Sequence, residues 1–177
     1  MTRYVALLRA VNVAGHGKIN MSELRQAFSA LGYADVGTYI QSGNVVFTSD
    51  ARVEGTELGR ALAGELGAAV EVMLRTAAQM KTVVERNPFT EVDLSKVHVG
   101  FMSGRPSPSV VGALDVDRFK PEEARVAGSE VYFHLPNGMG RSKLPNYLTR
   151  QLKVPFTVRN WNTATKLREL SSSRPAL

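Results

Sequence analysis

The sequence predicts an α+β fold in two subdomains of similar element order. Three observations carry that prediction. Short apolar runs and alternations recur at strand length, capping residues stand just ahead of amphipathic stretches, and glycine pairs punctuate the intervals. The chain has 177 residues, 44% hydrophobic and 21% charged. That is ordinary globular composition, long enough to bury a core without disulfide or metal staples.

Tyr4 to Leu8 is an apolar run suited to a buried strand. Residues 10–20 form a polar loop with two glycines. Asn20 is a good N-cap, with Glu23 three residues on to complete a capping box. Met21, Leu24, Phe28 and Leu31 line one helical face, and Gly32 ends the helix. Thr38 to Gln41 and Val45 to Thr48 read as strands joined at the Gly43-Asn44 turn signal. Leu58, Leu62 and Leu66 repeat at helical spacing up to Gly67. Val70, Val72 and Leu74 then alternate with polar or longer residues as a half-buried strand. Thr76 and Gln79 make a second capping box, opening a helix that carries Met80, Val83 and Val84 and closes at Asn87-Pro88.

The first six elements, strand, helix, strand, strand, helix, strand, follow the split βαβ or ferredoxin-like order. Residues 88–96 read as a connector. A second series begins with the alternation Val97, Val99, Phe101. Ser107-Pro108 opens a short helix through Val111 and Leu114. Strands at Ala124 to Ala127 and Val131 to Leu135 flank Gly128-Ser129. Ser142 caps a helix running to about Leu152, with Pro145 in its first turn. Phe156 to Arg159 is a strand and Thr163 to Leu170 a last helix. The division expected is residues 1–92 as a ferredoxin-like subdomain and 93–177 as a second α+β subdomain with a basic C-terminal segment.

Charge is distributed unevenly. The net is +6, but residues 138–177 hold eight basic side chains against Glu169 alone, while residues 1–137 are nearly balanced. An anionic partner is expected, either nucleic acid or a phosphorylated small molecule. Cysteine is absent, which excludes thiolate catalysis and thiolate-ligated metal. The three histidines, His16, His98 and His134, are far apart in sequence, and no metal-ligand spacing occurs. No cofactor and no metal are therefore expected. No apolar run approaches the roughly 18 residues of a membrane span, and the N-terminus lacks signal-peptide character. A cytoplasmic location is the expectation.

Three segments are candidate sites. In the first, Arg9, Asn12 and Lys18 surround a glycine-containing loop ahead of a helix, which reads either as an anion site or as a plain connector. In the second, Gly138 and Gly140 permit unusual backbone angles while Arg141, Ser142 and Lys143 offer a fork, a hydroxyl and a point charge to phosphate. In the third, Arg159, Asn160 and Asn162 flank the sole tryptophan, Trp161; amides and arginine can read bases, or they can cap a helix around a packed indole. Gln41, Ser42 and Asn44 at the hairpin join these if the fold brings them near. The leading reading is a binding protein for nucleic acid or a nucleotide-like phosphate. One alternative is an enzyme acting on a phosphorylated or acidic small molecule, with His16 as proton shuttle. Another is a structural or protein-interaction module.

Several stretches carry a resemblance. YVALLRAVNV from Tyr4, KINMSEL from Lys18, TYIQSGNVVF from Thr38, GRSKL from Gly140 and TVRNWNTATKL from Thr157 resemble the bacterial domain-of-unknown-function 1697 family. The resemblance implies a cytoplasmic α+β protein with a ferredoxin-like portion and no established activity. This chain departs from the family in having Ala10 and Ala14 where glycine is usual, so its first loop is stiffer.

Overall fold

The computed structural model describes residues 1–10, 19–40 and 43–173. Its elements are β1 (Thr2–Ala10), α1 (Met21–Ala30), β2 (Ala34–Tyr39), β3 (Asn44–Ser49), α2 (Gly55–Leu66), β4 (Val70–Thr76) and α3 (Ala77–Glu85). The second series is β5 (Val97–Met102), α4 (Pro108–Gly112), β6 (Glu123–Ala127), β7 (Glu130–His134), α5 (Leu144–Leu152), β8 (Phe156–Asn160) and α6 (Trp161–Ser172). Two antiparallel four-stranded sheets result, ordered β2-β3-β1-β4 and β6-β7-β5-β8. Both orders are ferredoxin-like, so the second half repeats the topology of the first and not only its element list. The chain divides into two compact units, Met1–Thr82 with Lys166–Leu177, and Val83–Thr165.

In the first unit, Tyr4, Ala6 and Leu8 of β1 and Val45 and Phe47 of β3 pack on Leu24 and Phe28 of α1 and Leu58 and Leu62 of α2. Asn20 caps α1 by accepting from Ser22 N–H at 2.7 Å. Gly67 closes α2 in the left-handed region at φ +66°, as a C-terminal glycine should. Helix α2 lies against the β4 backbone, because a Cβ at Gly55 or Gly59 would sit 2.8 Å from Val72 O or Val70 O. The Thr76–Gln79 capping box forms in both directions, at 2.8 and 3.1 Å.

Two strand expectations are corrected. Strand β2 starts at Ala34, not Thr38, and Asn44 lies within β3 instead of the turn. β2 is a half-buried edge strand with Asp35 at φ +50° and a register shift between Ala34 and Gly37, so it carries no clean apolar alternation. β4 is not half-buried: Met73 and Arg75 are withdrawn from solvent together with Val70 and Val72.

In the second unit, Met102, Val131, Phe133 and Phe156 of the sheet pack on Leu144, Tyr147, Leu148 and Leu152 of α5. A Cβ at Gly100 would approach Val131 Cγ1 to 2.6 Å, so any larger residue here forces Val131 and the neighbouring Phe133 and Phe156 rings to move. Strand β8 runs to Asn160, and α6 begins at Trp161, two residues before the expected start, because Asn160 Oδ1 accepts from Thr163 N–H at 2.8 Å.

Candidate functional site

Register places two of the three candidate segments at one end of the second sheet. Val97 pairs with His134 and His98 with Asn160, so β7 and β8 both leave the sheet beside the start of β5. Residues 137–143 follow from β7, and Asn160 to Asn162 from β8. The first segment is placed only in part. Asn12, His16, Lys18, Gln41 and Ser42 lie outside the described residues. Arg9 reaches Glu71 Oε2 at 3.9 Å. Asn44 is fully buried and donates from Nδ2 to Tyr39 O at 3.0 Å, a contact that ties the hairpin together.

Sharing a sheet end does not bring all these side chains together. Val158 packs on the α5 side of the sheet, so Arg159, the next residue, projects from the other face. Its side chain is 7% exposed and donates to Thr157 Oγ1 at 2.7 Å and Val158 O at 3.0 Å. Burial pushes its pKa down to about 10, which leaves it cationic at neutral pH. Arg75 repeats this arrangement in the first unit. It pairs with Val5 as Arg159 pairs with Val99, is equally buried, and donates to the preceding carbonyl, Leu74 O, at 2.9 Å. In both units the next residue, Thr76 or Asn160, caps the following helix. A buried arginine ahead of a helix cap is thus an element of the repeated fold. Asn160 spends its oxygen on the cap, while Asn162 is exposed on α6.

The second segment remains open to solvent. Gly138 adopts φ +85°, and a 3-10 turn at Met139–Arg141 leads into α5. Arg141 and Lys143 are exposed and form no ion pair among the described residues. Ser142 is occupied: its hydroxyl donates to Glu122 Oε2 and accepts from Leu144 N–H at 3.2 Å. Those two contacts tie the loop to Glu122 and to the first turn of α5.

Helix α5 extends the cationic surface. Leu144, Tyr147, Leu148 and Leu152 turn inward. Helical spacing then puts Asn146 and Arg150 on the outward side, and Lys143 and Lys153 stand at the two ends of the helix, Lys153 in the left-handed region at φ +58°, all four exposed. Arg150 and Lys153, like Arg141 and Lys143, form no ion pair among the described residues. No carboxylate occurs from Lys143 through Lys153. Lys143 and Arg150 are two turns apart, about 10 Å along the axis. Arg118 adjoins this surface, its guanidinium carbon 4.5 Å from the Tyr147 ring centroid and 4.9 Å from that of Phe119. Arg150 and Lys153 belong to the basic excess of the sequence without forming one of its candidate segments, although the apolar stripe of α5 fixes the direction of Arg150. Arg118 has no such local signal, since its platform joins residues 28 positions apart.

His98, on β5 at the same end of the sheet, is half-buried. Burial lowers the His98 pKa, helped by the Lys96 charge and opposed by a hydrogen bond with the Lys96 backbone. Among the described residues no group of three or more His, Asp and Glu is placed to hold a metal ion. None of the described helices is long and apolar enough to cross a membrane.

The fold defines the class first: an α+β protein with two ferredoxin-like sheets in tandem. Residues 1–132 match the family model described as "Protein of unknown function (DUF1697)", and the chain belongs to that family. Among solved structures it is similar to the conserved bacterial protein SP0830 from Streptococcus pneumoniae, at 25% identity and a TM-score of 0.66, over 97% of this chain and 99% of that one. No curated protein matches the chain.

Proposed function

We propose that the second unit binds the phosphate backbone of a nucleic acid through the outward face of α5 and the loop that precedes it. One observation carries this reading. Arg141, Lys143, Arg150 and Lys153 are exposed, without ion-pair partners among the described residues, on a stretch whose last eleven residues hold no carboxylate. A face of this kind attracts a polyanion by counterion release and needs no concave pocket. Its side chains are suited to phosphate contact more than to base readout, since the Tyr147 ring between them is buried and cannot stack on bases. Arg159 and Asn160 serve the fold in this reading; Asn162 stays available at the sheet end.

The test is a titration of labelled duplex DNA or RNA, followed by anisotropy at about 50 and 200 mM salt. Four phosphate contacts predict a log–log salt slope near −3.6, and hence roughly 100-fold weaker binding at the higher salt. A parallel titration with a mononucleotide addresses the rival ligand class. Saturation by the mononucleotide with shallow salt dependence would transfer the reading to a small phosphorylated ligand on residues 137–143.

A further inference from the structure

The α5 face owes its charge to flexible side chains, but one cation beside it is held in place. Arg118 Cζ lies 4.5 Å from the Tyr147 centroid and 4.9 Å from the Phe119 centroid, and those two centroids are 5.0 Å apart. The three points form a nearly equilateral triangle. The guanidinium therefore rests on a two-ring platform instead of lying between two walls. Arg118 itself is exposed, and its N–H groups make no hydrogen bond or ion pair among the described residues, so they remain available to an acceptor.

The platform is itself anchored. Tyr147 is 6% exposed within the α5 core, and its hydroxyl accepts from Asp115 N–H at 2.9 Å. Tyr147 stands four residues after Lys143 and three before Arg150, so its ring flanks the edge of the helix that carries those two cations. The nearby carboxylate of Asp117 reaches Lys120 Nζ at 3.7 Å, while Arg118 forms no ion pair among the described residues.

Resting on the nucleic-acid reading above, we infer that Arg118 is the fixed anchor of this surface, taking one backbone phosphate through two parallel N–H···O contacts. A prepositioned fork loses less side-chain freedom on binding than a lysine stem does. It also sets where the polyanion lies, which mobile lysines cannot do. Phe119 and Tyr147 are positioning residues: they aim the guanidinium and touch no ligand.

The experiment compares duplex affinity and salt slope for the full chain and three variants, with thermal melting as the control for folding. Arg118→Ala is expected to weaken binding about fivefold or more and to reduce the slope by about one contact. Arg118→Lys keeps the charge, so the slope is retained while affinity still falls severalfold. Tyr147→Phe keeps the ring, deletes only the hydroxyl, and is expected to bind as the parent does even where melting falls slightly. Arg118→Ala or Arg118→Lys binding as tightly as the parent would overturn the anchor while leaving the α5 reading intact. A parent chain that binds no duplex at all would overturn both.

Discussion

Helices α2 and α5 fill the same slot in the two units, each following the third strand of a ferredoxin-like series, yet they meet their sheets differently. Helix α2 comes close enough that Gly55 and Gly59 sit against the carbonyls of Val72 and Val70. Its own charges, Glu57, Arg60 and Glu65, are mixed in sign. Helix α5 packs through large side chains, Leu144, Tyr147, Leu148 and Leu152, and turns a face of one sign to solvent. Topology sets where each helix lies. What the outward residues can do is a separate choice: α2 mixes Arg60 with Glu57 and Glu65, whereas α5 carries no carboxylate.

The sharpest way to break the comparison is through the packed faces. Leu148 is fully buried, and Leu148→Ala is expected to cost about 3 kcal/mol in urea-induced unfolding. Gly59→Ala is expected to cost about 2 kcal/mol, because the new methyl meets backbone that cannot yield as a side chain does. Equal tolerance of alanine at Gly59 and at an exposed α2 position would refute the close-approach account of that helix.

A second pair of variants separates charge that serves the fold from charge that serves a ligand. Arg159→Ala is expected to lower stability by roughly 1–3 kcal/mol, as removal of a packed, hydrogen-bonded side chain does. Arg75→Ala should behave alike, given the matching burial and register. Arg141→Ala should leave the melting temperature within about a degree, as surface changes usually do, and weaken duplex binding severalfold. The opposite pattern, with Arg141→Ala unfolding the chain and Arg159→Ala sparing it, would reverse the assignment of the two arginines.

The smallest effect concerns pH. His98 is held below its ordinary pKa of 6.5, chiefly by burial. The folded state therefore resists protonation that the unfolded chain accepts. The stability tied to His98 is present above about pH 6.5 and is lost as pH falls through and below it, levelling off once the folded-state histidine also protonates. The melting temperature should drop modestly from pH 7.5 to 5.5, and His98→Gln should flatten that part of the profile.

Much of the fold was legible because its signals are local. Asn20, Thr76, Ser107 and Gly67 mark helix ends by chemistry that acts over three or four residues, and each is found at its cap. The edge strand β2 was shifted because a bulged strand needs no alternating pattern. The buried face of β4 was missed because an arginine and a methionine on it disguise the alternation. At the site, Arg141 and Lys143 were visible as cations next to glycines. The Ser142 contact with Glu122 could not be read locally, since the two residues lie 20 positions apart. Arg118 was invisible for the same reason, its platform being assembled only by tertiary packing.

The most direct test of the central claim is the salt dependence of duplex affinity for the parent chain and for Lys143→Gln/Arg150→Gln/Lys153→Gln. All three positions are exposed, so the fold is retained. The log–log slope should shrink by nearly three contacts, with affinity at about 100 mM salt falling by more than tenfold. A triple variant with the parent's slope and affinity would contradict the claim that this helix face is where a nucleic acid binds.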